Sequence, residues 1–150
     1  MFSGGECTLK LICCIDNHGG MMFNHRRQSQ DREVRRDILT YVGSGVLWMN
    51  AYSFKQFCSE HSDTQYYQIH VAENFISKAG PDDYCFVENA IYLINELDLS
   101  EIVLYHWNRD YPSDVSFDLN LCNWHIIHSK DFCGFSHKKI TREVFKKNEI

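Results

Sequence analysis

Residues 9–39 read LKLICCIDNHGGMMFNHRRQSQDREVRRDIL: an apolar run, a polar loop with two glycines, then a charged segment with helical spacing. Leu9, Leu11, Ile12, Cys13, Cys14 and Ile15 make the short, continuous apolar run expected of a strand buried on both faces of a sheet. Asp16, Asn17, Gly19 and Gly20 end that strand with turn chemistry, the chain crosses 21–28, and Ser29 is placed to cap a helix over 30–42. Val34, Ile38, Tyr41 and Val42 fall on one face of that helix, while charges fill the rest and put Arg35 and Arg36 on the outer side. In open α/β sheets ligands sit in the crevice past the carboxyl ends of the strands, so the loop after the first strand is the expected place for a site.

Outward from this unit the pattern repeats. Gly43 and Gly45 stop the helix, and 46–49 reads as a second buried strand. After a turn at 50–52, Ser53 and Gln56 have the spacing of a capping box, and Phe54, Phe57 and Cys58 stripe a short helix. Aromatic and β-branched residues predict a strand over 66–71, and the turn AGPDD leads into a strand over 84–87. Asn89 suits the N-cap of a helix over 90–97 carrying Leu93, Ile94 and Leu97, before the strand EIVLY at 101–105. Alternating strands and helices imply parallel pairing with right-handed crossovers. Farther on, 124–127 and 139–145 read as two antiparallel strands joined by a polar stretch containing Gly134. The expected fold is therefore α/β, a single domain over 1–150 in which a mostly parallel central sheet is flanked by helices and closed by a C-terminal antiparallel strand pair, with 1–8 a loose lead-in.

A chain of 150 residues, 44% of them hydrophobic, can bury one core. A net charge of −5 argues against general nucleic-acid binding, which needs clustered Lys and Arg to neutralise phosphates. No apolar run is long enough to cross a bilayer, and MFSGGECTLK lacks the pattern of a secretory signal, so a cytoplasmic location without membrane contact is expected. The seven cysteines are odd in number and contain no CxxC, which favours free thiols, mostly buried, in a reducing compartment. Cys122, His125, His128 and Cys133 lie close together but without a familiar zinc spacing, and no metal is expected.

Arg26, Arg27, Gln28, Asp31 and Arg32 are the most polar part of the expected crevice, joined by Asn50, Asn89, Trp107 and Arg109. Forked guanidinium groups beside an aromatic suit a small anionic or nucleotide-like ligand, or a protein partner. The plainer reading is a solvated arginine surface paired with Glu33 and Asp37.

Three segments, ICCIDNHGGMMFN (12–24), VLWMNAYSFKQF (46–57) and IVLYHWNRDYPSDVSFDL (102–119), together with the order of elements, resemble the dihydrofolate reductase family. The resemblance implies that family's fold, with Glu33, or Asp31 if the loop is shortened, as the acid that binds and protonates a pterin. It also implies Tyr105 at the position of the hydroxyl residue that steadies the acid, and Ser53 as the hydroxyl at the start of the helix behind the cofactor phosphates. The departures bear on function. Arg27-Gln28 replaces a Pro-Trp pair, Asn50-Ala51 replaces the Gly-Arg pair that approaches the phosphates, and NAIYLINELDLSE (89–101) has no glycine where the family has the turn that cradles the diphosphate. We therefore expect no bound nicotinamide cofactor and a ligand-binding role. An active NADPH-dependent oxidoreductase is the alternative. Short chains similar to this one carry the label ribonuclease Z, which gives an RNA-directed hydrolase as a further alternative, although that family's His-x-His-x-Asp-His cluster is absent.

Overall fold

The computed structural model describes residues 8–58, 68–89 and 91–148. Among these residues a seven-stranded sheet is built on β1 (Leu9–Ile15), which pairs in parallel with β6 (Tyr84–Phe86) on one side and β7 (Leu99–His106) on the other. Beyond β6 lie β4 (Val46–Met49) and then β5 (Gln68–Val71), both parallel to it. Beyond β7 lie β10 (Ile140–Lys147), antiparallel to β7, and the edge strand β9 (Trp124–Phe132), antiparallel to β10, so the order is β5-β4-β6-β1-β7-β10-β9. A smaller sheet, β3-β2-β8, joins β2 (Gly20–Phe23), β3 (Arg26–Arg27) and β8 (Val115–Ser116). The segment 21–28, expected as a plain loop, thus contains a hairpin whose strands are too short to give a period.

The continuous apolar run of β1 divides between two cores, because successive side chains point to opposite faces. Leu9, Leu11, Cys13 and Ile15 pack with Phe75, Ile91 and Ile94, whereas Ile12 packs with Val34, Ile38 and Leu39 of α1 (Arg32–Val42). Each such fully buried aliphatic contributes about 2 kcal/mol. The connection leaving β1 therefore runs over one face, and the connection leaving β6 over the other. Since β1 and β6 are parallel neighbours whose connections leave over opposite faces, the winding of the sheet reverses between them, which is where a crevice is expected past their carboxyl ends.

Several boundaries differ from expectation. The cap of α1 is Asp31, not Ser29: its extended backbone lets the carboxylate accept from Glu33 N at 2.8 Å. Arg35 is buried rather than on the outer side. α2 (Ala51–Cys58) is capped by Asn50, whose Oδ1 accepts from Ser53 N at 2.9 Å, so Ser53 lies inside the first turn and is not the cap. Of the helix expected over 90–97, residue 90 lies outside the described residues and the remainder forms two short 3₁₀ turns, Ile91–Leu93 and Glu96–Asp98. Leu93 and Leu97 are 60% and 77% exposed, so the face that was to hold the helix down is missing. A single turn, α3 (Phe75–Lys78), buries only Phe75 and carries no periodic signal. β9 runs on to Phe132 because its pairing with β10, not burial, defines it; nearly all its side chains are exposed. Residues 66 and 67 of the strand expected over 66–71 lie outside the described residues.

Candidate functional site

The end of β1 is fixed by Asp16, which is 1% exposed. Its Oδ1 accepts from Gly20 N at 2.8 Å and His18 N at 2.9 Å, and its Oδ2 from Tyr111 N at 3.0 Å and Gln28 Nε2 at 3.2 Å. Burial raises the affinity of this carboxyl for a proton, but the four donors outweigh it and hold Asp16 below the usual carboxylate range. One ionised side chain thus ties the loop after β1 to the loop after β7.

Between the ends of β1 and β6 the crevice is occupied by Glu88. Its Oε2 accepts from Arg27 Nε at 2.8 Å, and its Oε1 accepts from Arg27 Nη2 at 3.0 Å and from Ser53 Oγ at 2.7 Å. Arg27 also donates to Tyr52 O at 3.2 Å and lies over the Tyr52 ring, 4.3 Å from its centroid. The side chains are only 17% and 10% exposed, which makes this a bidentate pair largely removed from water. Burial disfavours the Arg27 charge, yet the contact with Glu88 more than restores it. Two expected ligand residues, Arg27 and Ser53, are therefore brought together, but they are spent on an acid that the sequence reading did not single out. An acidic residue directly after a buried strand was the available signal.

Beside this pair, Asn89 lines an open hollow of about 600 Å³ with Met22, His25, Tyr92, Asp114 and Val115. Arg26 is exposed in the adjoining hairpin, next to His25. His25, Tyr92 and Asp114 were not anticipated, because they come from three separate loops.

A second polar centre surrounds Asp31. Its Oδ1 accepts from the backbone N–H of Glu33 and Phe135, both at 2.8 Å; its Oδ2 accepts from Ser136 N at 2.8 Å, Ser136 Oγ at 3.2 Å and His137 Nδ1 at 2.9 Å. Burial raises this carboxyl, but donation from Phe135, His137, Ser136 and Glu33 holds it well below the ordinary range. Asp31 is thus ionised at neutral pH and carries no proton to give. Trp107 stacks on the His137 ring at 4.7 Å, Arg109 donates to Ser136 O at 3.1 Å, and Arg32 lies 3.9 Å over the Phe135 ring. A Cβ on Gly134 would lie 2.7 Å from His137 O and 2.8 Å from Asp31 Oδ2. Gly134→Ala is accordingly expected to lower the unfolding free energy by about 2 kcal/mol, read from the denaturant midpoint.

Glu33, Asp31 and Tyr105, the three candidate catalytic groups, have separate partners. Glu33 pairs at the surface with Arg32 and Arg36, at 3.8 and 3.5 Å. Tyr105 is fully buried and its hydroxyl donates to Asp37 Oδ2 at 2.6 Å, an acid also held by Arg142 Nη1 at 2.7 Å. The resemblance implied Glu33 or Asp31 as the partner of this hydroxyl; the acid it meets is Asp37, one helical turn farther along α1 than Glu33. Tyr105→Phe should cost about 1 kcal/mol in thermal or chemical unfolding, since Arg142 still pairs with Asp37. Gln28 serves Asp16, as described, and also donates to Pro112 O at 3.2 Å. Among the described residues no group of three His, Cys, Asp or Glu side chains could hold a metal ion, and no helix is long and apolar enough to cross a membrane.

No family profile matches the sequence, and no curated protein matches it. In three dimensions the chain is similar to dihydrofolate reductase from Enterococcus faecalis complexed with NADP(H) and RAB-propyl, with a TM-score of 0.64 over 99% of this chain and 100% of that one, at 9% identity. The fold is that of dihydrofolate reductase: a mostly parallel sheet closed by the antiparallel pair β10 and β9.

Proposed function

We propose that this chain uses a dihydrofolate reductase fold to bind a small nucleotide-like ligand in the crevice past β1 and β6, without efficient NADPH-dependent reduction of dihydrofolate. The observation that carries this reading is Glu88, bonded to Arg27 and Ser53 in the turn after β6. The sequence resemblance places a glycine-rich turn there, where the free N–H groups at a helix start hold the diphosphate of the cofactor. In its place stand a carboxylate and two 3₁₀ turns. Neither offers a row of N–H donors to a phosphate, and the negative charge of Glu88 opposes one.

The hollow beside Glu88 falls within the size range of small-ligand sites. Asn89 and Asp114 supply directional hydrogen bonds for the edge of a base, the Tyr92 ring is 78% exposed and free to stack, and the exposed Arg26, next in the chain to His25, is the cation we assign to a single phosphate. Thermal unfolding in the presence of nucleosides and nucleoside monophosphates tests the proposal. A saturable rise in Tm that weakens about tenfold or more in Tyr92→Ala is expected. No shift with any of them, or a shift indifferent to Tyr92 and Asn89, would reject the site and leave a protein partner at Arg26 and Arg32 as the occupant. The competing reading, an active oxidoreductase with Glu33 as acid, requires dihydrofolate-dependent consumption of NADPH that is lost in Glu33→Gln.

A further inference from the structure

Asp31 is tied to a histidine and a serine in an order that neither the fold nor the crevice requires. Since the Asp31 carboxylate is ionised and can only accept, the tautomer of His137 that meets it carries a proton on Nδ1, which lies 2.9 Å from Oδ2. Its Nε2 is then a lone pair, and Ser29 Oγ lies 3.0 Å from it. Both acid and imidazole are almost wholly removed from water, at 0% and 2% side-chain exposure, and the ring is clamped by Trp107. Ser29, whose hydroxyl covers Nε2, is half-buried.

We propose that Ser29 is a nucleophile, His137 its general base and Asp31 the positioning carboxylate for cleavage of small esters that carry a negative charge. A serine, an imidazole and a carboxylate in this sequence of contacts are recognised by geometry and not by chain order. Ser29 Oγ attacks the ester carbonyl carbon as its proton passes to His137 Nε2. The carbon–oxygen bond to the leaving group breaks, and that oxygen takes the proton back from His137. Water, deprotonated in turn by His137, then hydrolyses the acyl–Ser29 ester and frees the acid. Tyr111 Oη, 3.1 Å from Nε2 and 3.5 Å from Ser29 Oγ, is a hydroxyl donor beside the reacting oxygen. The preference for a charged ester rests on Arg32 and Arg109, both exposed and both anchored on the loop that carries His137. This activity does not depend on the ligand in the crevice.

The test is reaction of the whole folded chain with a fluorophosphonate probe, with the adduct located by mass spectrometry. One adduct is expected, on Ser29, formed about 100-fold faster than in His137→Ala and partly restored to that variant by added imidazole, which a purely structural histidine would not allow. Nitrophenyl succinate should be hydrolysed about tenfold faster than nitrophenyl acetate. Absence of an adduct at Ser29 in the unsubstituted protein, which needs no variant to fold, overturns the proposal. So does labelling of Tyr111 instead, or an equal rate in a folded His137→Ala. Equal hydrolysis of the two esters overturns the charge preference.

Discussion

Asp31→Asn is expected to lower the unfolding free energy by about 3 kcal/mol. The loss comes from geometry. Five donors converge on this carboxylate, three of them backbone N–H groups of Glu33, Phe135 and Ser136. An amide offers one acceptor where the carboxylate offers two, and it turns an NH₂ group toward donors already buried. The same substitution should change the response to acid. The folded-state carboxyl is depressed below its unfolded value of about 3.9, so its stabilisation is complete above that value and is lost as the pH falls toward the folded one. Asp16 acts with the same sign. Unfolding measured from pH 7 downward should therefore show the native protein weakening below roughly pH 5, and the D31N variant weakening less steeply. Parallel curves would mean that Asp31 is not the ionised hub described here.

The second large effect belongs to Glu88. Glu88→Ala leaves the Arg27 guanidinium largely buried without its carboxylate and should cost about 3 kcal/mol. Arg27→Ala should cost a similar amount, while the double substitution should cost less than the sum by about 2 kcal/mol. That coupling, measured in a double-mutant cycle by denaturant unfolding, separates a buried bidentate pair from a surface contact, for which it would be close to zero. Ser53→Ala removes only the third hydrogen bond and should cost about 1 kcal/mol.

What the sequence made legible follows from where its signals are local. β1, β4 and β7 are read from apolar runs, and α1 from its spacing, because burial on a strand or helix imposes a period on neighbouring residues. Asn89 and Arg27 were placed at the crevice for the same reason, as the residues that follow such runs. The Asp31 centre was not legible. Its partners Phe135, Ser136 and His137 lie 104–106 residues away, and a first-turn acid looks identical whether it caps a helix or serves a pterin. Nor was Tyr105 separable from a catalytic position, since the acid it touches, Asp37, differs from Glu33 only by a helical turn. The stretch 89–101 misled in a different way. Leu93, Ile94 and Leu97 have helical spacing, but Asn95 accepts from Leu97 N at 3.0 Å and starts a fresh turn, which breaks the helix that the pattern suggests. The absence of glycine from this stretch is visible in the sequence; the bonds of Glu88 to Arg27 and Ser53 are not, because they join residues 35 and 61 positions apart.

The proposal that the Glu88–Arg27–Ser53 cluster leaves no cradle for a diphosphate is tested most directly by calorimetric titration of NADPH into the folded protein. No saturable heat is expected at micromolar cofactor. A one-to-one isotherm with a micromolar Kd for the unsubstituted protein would contradict it.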